Sequence, residues 1–160
     1  MTALKRRDIL LACAAASALP RTALAHHGWS SFDDTKPLYL QGKANSVKWQ
    51  NPHVEVMLQL PAAMQLPADL GQRNIPAQYA PVDVRSILAK TQLPARKDKT
   101  WEIELAPLSR MEAWKVAEIK PGSPFAVVGY SFKDEKGDAI LRAEFIWVDG
   151  KTYALRSSPA

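Results

Sequence analysis

Apolar and polar residues alternate along several stretches of this chain. Leu38, Leu40, Gly42 and Ala44 share one phase, which then shifts to Val47 and Trp49. A strand whose period of two slips by one residue carries a bulge, expected here between Gly42 and Ser46. Val54, Val56, Leu58 and Leu60 alternate with His53, Glu55, Met57 and Gln59, which predicts a half-buried strand with His53 and Glu55 away from the core. Trp101, Ile103 and Leu105 resume the alternation around Glu102 and Glu104. Those two carboxylates share a face, and we read them as a solvated strand face rather than an acid/base pair. No nucleophile or substrate-orienting group stands near them in sequence.

Residues 109–117 carry Met111 and Trp114 at helical spacing. Ser109 and Glu112 are placed to form a capping box, and Pro121-Gly122 is a stop. A Met/Trp stripe of this kind marks core packing. Residues 125–130 form an apolar strand and residues 133–138 a charged turn. A long strand follows over 139–148, then a hairpin at Asp149-Gly150 and a return strand over 151–155.

Residues 61–99 break the alternation. Five prolines (Pro61, Pro67, Pro76, Pro81, Pro94) punctuate them, with room for one short helix over 82–90. They read as a long insertion protruding between two strands, a surface loop or a functional segment. Three strands, a helix, two strands and a short hairpin partner make a mainly β fold. The expected form is a small OB-like barrel of five to six strands with one helix between strands 3 and 4. A lipocalin-like barrel needs more strands, and an immunoglobulin-like sandwich does not need the helix.

The first 25 residues change the picture of composition. Lys5, Arg6 and Arg7 precede an apolar run from Ile9 to Leu19, and Ala23-Leu24-Ala25 closes it as a small-residue cleavage site. The run is too short to span a bilayer, so no permanent membrane anchor is expected. Arg6-Arg7 before Asp8-Ile9-Leu10-Leu11 resembles the twin-arginine export signal. General secretion is the plainer alternative. Lipid attachment at Cys13 is a minor one, because only four apolar residues would precede it. The expected organisation is a cleaved signal at 1–25 and one domain at 26–160, located in the periplasm.

Cys13 is the single cysteine of the sequence, so the mature chain would hold no thiol or disulfide. The leader takes four of the 21 basic residues and one of the 16 acidic ones, which reduces the formal charge from +5 to +2. The basic character belongs mostly to the signal, and nucleic acid is not an expected partner.

Cleavage after Ala25 would make His26 the mature N-terminus. Two of the three histidines, His26 and His27, stand at that junction, and the third, His53, ends the string Trp49-Gln50-Asn51-Pro52-His53. A terminal amine and its own imidazole Nδ1 form a compact chelate for Cu(II), and a second imidazole completes a T-shaped set. Amine and imidazole nitrogens in tetragonal geometry suit copper. The candidate metal ligands are therefore His26, His53 and His27, with copper as cofactor. His27 is too strained by adjacency to act as the distant ligand. Asp33, Asp34 or Glu55 could orient a ring from outside the ligand set.

The bland alternative is that the histidines are solvated, that Asn51-Pro52-His53 is a turn and that Trp29 and Trp49 are core aromatics. The mature chain has no HExxH, phosphate-binding Gly loop, G-x-S-x-G or CxxC, so no catalytic residue is assigned and the reading leans away from an enzyme. The second functional class is a metal-free binding or accessory module docking a partner protein or small ligand in the periplasm.

With these strings on the page, the chain resembles a family of small exported bacterial proteins of unknown function. Their mature chains begin near A-H-H-G/S-W, as Ala25-His26-His27-Gly28-Trp29 does, and continue to W-x-N-P-H, as Trp49 to His53 does. Weaker matches are Trp101 to Glu104, Arg110 to Trp114, Pro121 to Gly129 and Asp149 to Lys151. The resemblance implies export and a small barrel. It supplies no activity, and the 61–99 stretch is longer than is usual there.

Overall fold

The structure, a computed structural model, describes residues 28–160; the leader, His26 and His27 lie outside the described residues. Six strands form one sheet: β1 (Leu38–Lys48), β2 (Glu55–Gln59), β3 (Thr100–Glu104), β4 (Pro124–Tyr130), β5 (Ile140–Val148) and β6 (Lys151–Ala154). Their order is β3-β2-β1-β4-β5-β6. A parallel pairing of β3 with β5, Ile103 opposite Leu141, closes the first five into a barrel. β6 continues from β5 through Asp149-Gly150, where two successive positive φ angles of 51° and 71° make the tight hairpin. The mainly β, OB-like barrel expected from the alternation is the observed fold.

β1 serves two neighbours. Its first half pairs with β4 and its second half with β2, and the register slips between Ala44 and Ser46. The bulge lies within the expected interval and turns the strand around the barrel. Gly42 stands at the handover, where a Cβ would overlap the carbonyl of Gln59. Gly129 plays the same part on β4 against the Arg142 carbonyl.

Leu40, Val56, Leu58, Trp101, Ile103, Val127 and Leu141 fill the barrel, all fully buried. Two short helices accompany it, α1 (Val84–Lys90) and α2 (Leu108–Ala113). α2 lies between β3 and β4, as expected, and its Met111 enters the barrel core. It is not capped by Ser109 and does not reach residue 117. The helix begins one residue earlier, and the Asn51 side-chain oxygen accepts the Leu108 N–H at 3.2 Å. Lys115 then takes a φ of 52°, which ends the helical path.

Residues 61–99 do not protrude. Leu70 and Leu88 are buried against Tyr39, Val128, Phe145 and Ala154, the outward-facing residues of β1, β4, β5 and β6. Phe145 of the long strand is fully buried, but in this second core outside the barrel. Asp83 caps α1 through Ser86 N–H at 3.0 Å. Past the helix the chain pairs with the entry to β1, Tyr39 N–H to the Gln92 carbonyl at 2.9 Å. The C-terminal residues join the same layer: Tyr79 N–H meets the Ser158 carbonyl at 3.1 Å, and Ser157 N–H meets Gln78 Oε1 at 2.9 Å. Among the described residues, no helix is long and apolar enough to cross a membrane.

Candidate functional site

The described chain starts at a mouth of the barrel. Trp29–Ser31 form one 3-10 turn, after which Phe32 bridges to Phe132 and Asp33 N–H meets the Ser131 carbonyl at 2.9 Å. Trp29 is not a core aromatic, being 40% exposed. Its ring lies under two guanidiniums, Arg156 at 4.2 Å and Arg142 at 5.3 Å, and is edge-on to Tyr130 at 6.3 Å. Arg142 also stacks on Phe32 at 4.5 Å. Cation–π contacts of this kind each contribute about 0.5–2 kcal/mol, more where water is excluded. The segment is thereby held against the barrel by its aromatic residues.

Buried acids fix both guanidiniums. Arg142 donates from Nε (3.0 Å) and Nη2 (2.5 Å) to Glu104 Oε2, and Arg156 donates likewise (2.8 and 2.5 Å) to Glu144 Oε2. Glu104 is thus the buried half of an ion pair and not part of a solvated strand face, while Glu102 beside it is half-buried. Burial pushes the Glu102 carboxyl up, and the negative charges of Glu55 and Glu104 add to this. Burial also pushes the Glu144 carboxyl up, against the opposing pull of Arg156. It raises the Tyr130 phenol to about 12, helped by the negative charge of Glu144.

A cavity of about 330 Å³ opens beside Trp29. Among the described residues, Gly28, Trp29, His53, Leu105, Pro107, Arg110, Arg142, Ala143 and Leu155 line it. His53 reaches the cavity because the Asn51-Pro52 turn delivers it just ahead of β2. Val54 N–H then meets the Ala106 carbonyl at 3.1 Å, and Leu105 N–H returns to the Val54 carbonyl at 2.8 Å. The Trp49 to His53 string therefore divides its work. Trp49 packs partly buried against the barrel core, Asn51 caps α2 and His53 lines the cavity.

Of the predicted ligands, only His53 falls among the described residues. Within them no group of three or more histidine, cysteine or acidic side chains is placed to hold a metal. The residues expected to orient a ring are engaged elsewhere or turned to solvent. Glu55 pairs with Lys48 at 2.7 Å, Asp33 accepts from Thr35, and Asp34 is exposed. The Thr35 hydrogen bond holds the Asp33 carboxyl below its ordinary value. None of the three lines the cavity.

Sequence reasoning passed over Arg110, Arg142, Arg156 and Glu144. A signal for two of them was available: Arg142 and Glu144 interrupt an otherwise apolar strand. A charge inside such a run has to be paired or lie on a wet face.

A model of a family of unknown function (DUF6152) matches residues 11–66. That stretch contains both the Ala25 to Trp29 and the Trp49 to His53 strings; of their described residues, Gly28, Trp29 and His53 line the cavity. No curated protein matches the chain, and no solved structure does.

Proposed function

We propose that this small β-barrel protein is exported to the periplasm, loses its leader after Ala25, and binds one Cu(II) at the new N-terminus. The His26 amine and imidazole form the chelate, and His53 supplies the third nitrogen. One observation carries the reading: Gly28 and Trp29 share a cavity with His53. His26 precedes Gly28 by two residues, and two residues of chain reach at most about 7 Å. The aromatic contacts of Trp29 hold the first described residues, Gly28 and Trp29, at the cavity. Nitrogen donors of this kind suit Cu(II).

Copper titration of protein beginning at His26 tests the reading. Affinity falls as pH drops through the amine's ordinary range of about 7.7–8.0 and then that of the imidazoles, because protons compete with the metal. One extra residue before His26 turns the amine into an amide and weakens binding by orders of magnitude. His53→Ala weakens it and alters the Cu(II) electron paramagnetic resonance spectrum. Equal copper binding by processed and extended proteins defeats the proposal.

The second reading is the metal-free module docking a small ligand or partner. It is favoured by a wide groove of about 610 Å³ between the insertion and the β5–β6 hairpin, where Arg73 lies 5.0 Å over Trp147 beside Lys151 and Asn74. Processed protein that binds no copper moves the function to that reading.

A further inference from the structure

The cavity beside Trp29 carries a charge that copper binding does not use. Among the described residues, two guanidiniums line it and no carboxylate does. Arg142 is balanced by Glu104. Arg110 has no carboxylate partner among the described residues. Its Nη1 donates to the Leu155 carbonyl at 2.9 Å, which fixes the head group at the cavity wall. A guanidinium has five N–H donors in a planar fork, so one backbone contact leaves most of that fork for another acceptor. Leu105, Pro107 and Leu155 line the same space. At about 330 Å³ the cavity stands at the small end of the range for small-molecule sites, roughly 300–1,000 Å³.

We propose that this cavity binds a small aliphatic monocarboxylate. Arg110 holds the carboxylate in its fork, and Leu105, Pro107 and Leu155 cover the alkyl body. The planar two-oxygen acceptor matches the guanidinium edge, whereas a tetrahedral phosphate would press its remaining oxygens against an apolar wall. The anion also answers an electrostatic difficulty. Cu(II) beside an unbalanced Arg110 is repelled, and a bound carboxylate offsets that charge. The carboxylate site nevertheless stands without the copper reading, because every residue it uses lies among those described.

The probe is butyrate, titrated into metal-free protein carrying one extra residue before His26, so that the copper chelate is absent by design. Nuclear magnetic resonance follows the Arg110 Nε–H, the Leu105 amide and the Trp29 indole N–H. All three should shift in one saturable process. Butyramide, the neutral isostere, should bind at least about tenfold more weakly, since a charge-assisted fork is worth that much or more. Inorganic phosphate should also bind more weakly, and Arg110→Gln should lose about tenfold or more. If Arg110→Gln fails to fold through loss of the Leu155 contact, the butyramide and phosphate comparisons on unmutated protein still decide. Butyramide binding as well as butyrate overturns the proposal, as does phosphate binding equally well. Shifts confined to the groove around Arg73 and Trp147 overturn it too. None of these outcomes bears on copper, which is measured separately on processed protein.

Discussion

The buried carboxylates Glu104 and Glu144 on the barrel strands each pair with an arginine, and the pairs differ in what they carry. Glu144 is fully buried and its carboxyl is pushed up by that burial. An acid with a raised folded-state value holds its proton longer in the native protein than in the unfolded chain. Its favourable contribution is therefore complete below the unfolded value of about 4.5 and is lost as pH rises through the higher folded value. Urea melts of the unmutated protein and of Glu144→Gln, run from pH 4 upward, should show their stability difference moving in favour of Gln over that interval. Arg142 gives a different test. Arg142→Met leaves Glu104 buried without its counter-charge and should cost about 3–5 kcal/mol, while adding Glu104→Leu should recover most of it. Asn51 acts through a single acceptor. Asn51→Ala should cost about 1 kcal/mol in urea melts, as loss of a helix cap does, and Asn51→Asp should cost less because it keeps the acceptor.

At the scale of elements, β4 explains how the insertion is built. Phe125 and Val127 point into the barrel, and Ala126 and Val128 point outward, yet all four are buried. The apolar run over 125–130 read correctly as a strand, but its lack of alternation also signalled cover on the second face. Residues 61–99 are that cover. Leu88→Ala should therefore cost about 2–5 kcal/mol by chemical denaturation, a core value rather than a loop value. Gly129→Ala forces a methyl onto the Arg142 carbonyl and should cost about 1–3 kcal/mol or more. The alternation exposed the barrel strands because each half-buried strand writes its own period. The insertion wrote none, since its two buried leucines are scattered among prolines and reach partners distant in sequence. The start of α2 was misread for the same reason. Ser109 and Glu112 made a local signal, while the acceptor that serves the helix comes from Asn51 on another loop. In the candidate site, the strings at 25–29 and 49–53 were legible as distinctive. The cavity that Gly28, Trp29 and His53 share was not, because it depends on Arg142 and Arg156 seating Trp29.

On the scale of the whole molecule, the two ends of the described residues, 28–160, belong to one structure. Arg156 stacks on Trp29, Leu155 accepts from Arg110, and Ser157 and Ser158 hydrogen-bond the insertion. Removal of residues 155–160 should release Trp29, seen as a red shift of its fluorescence, and should loosen the insertion, seen as faster amide exchange over 75–80. This arrangement bears on the order in which the protein is made. Trp29 is among the first of the described residues to leave the ribosome, and Arg156 among the last. The cavity cannot exist before Leu155 and Arg156 have emerged, nor on a chain threaded through a membrane in extended form. It is completed only when those residues and Trp29 are on the same side of any barrier. On the proposed reading of export and ligand binding, loading the cavity before secretion requires holding the chain back until it has folded, and loading it afterwards requires the ligand on the far side.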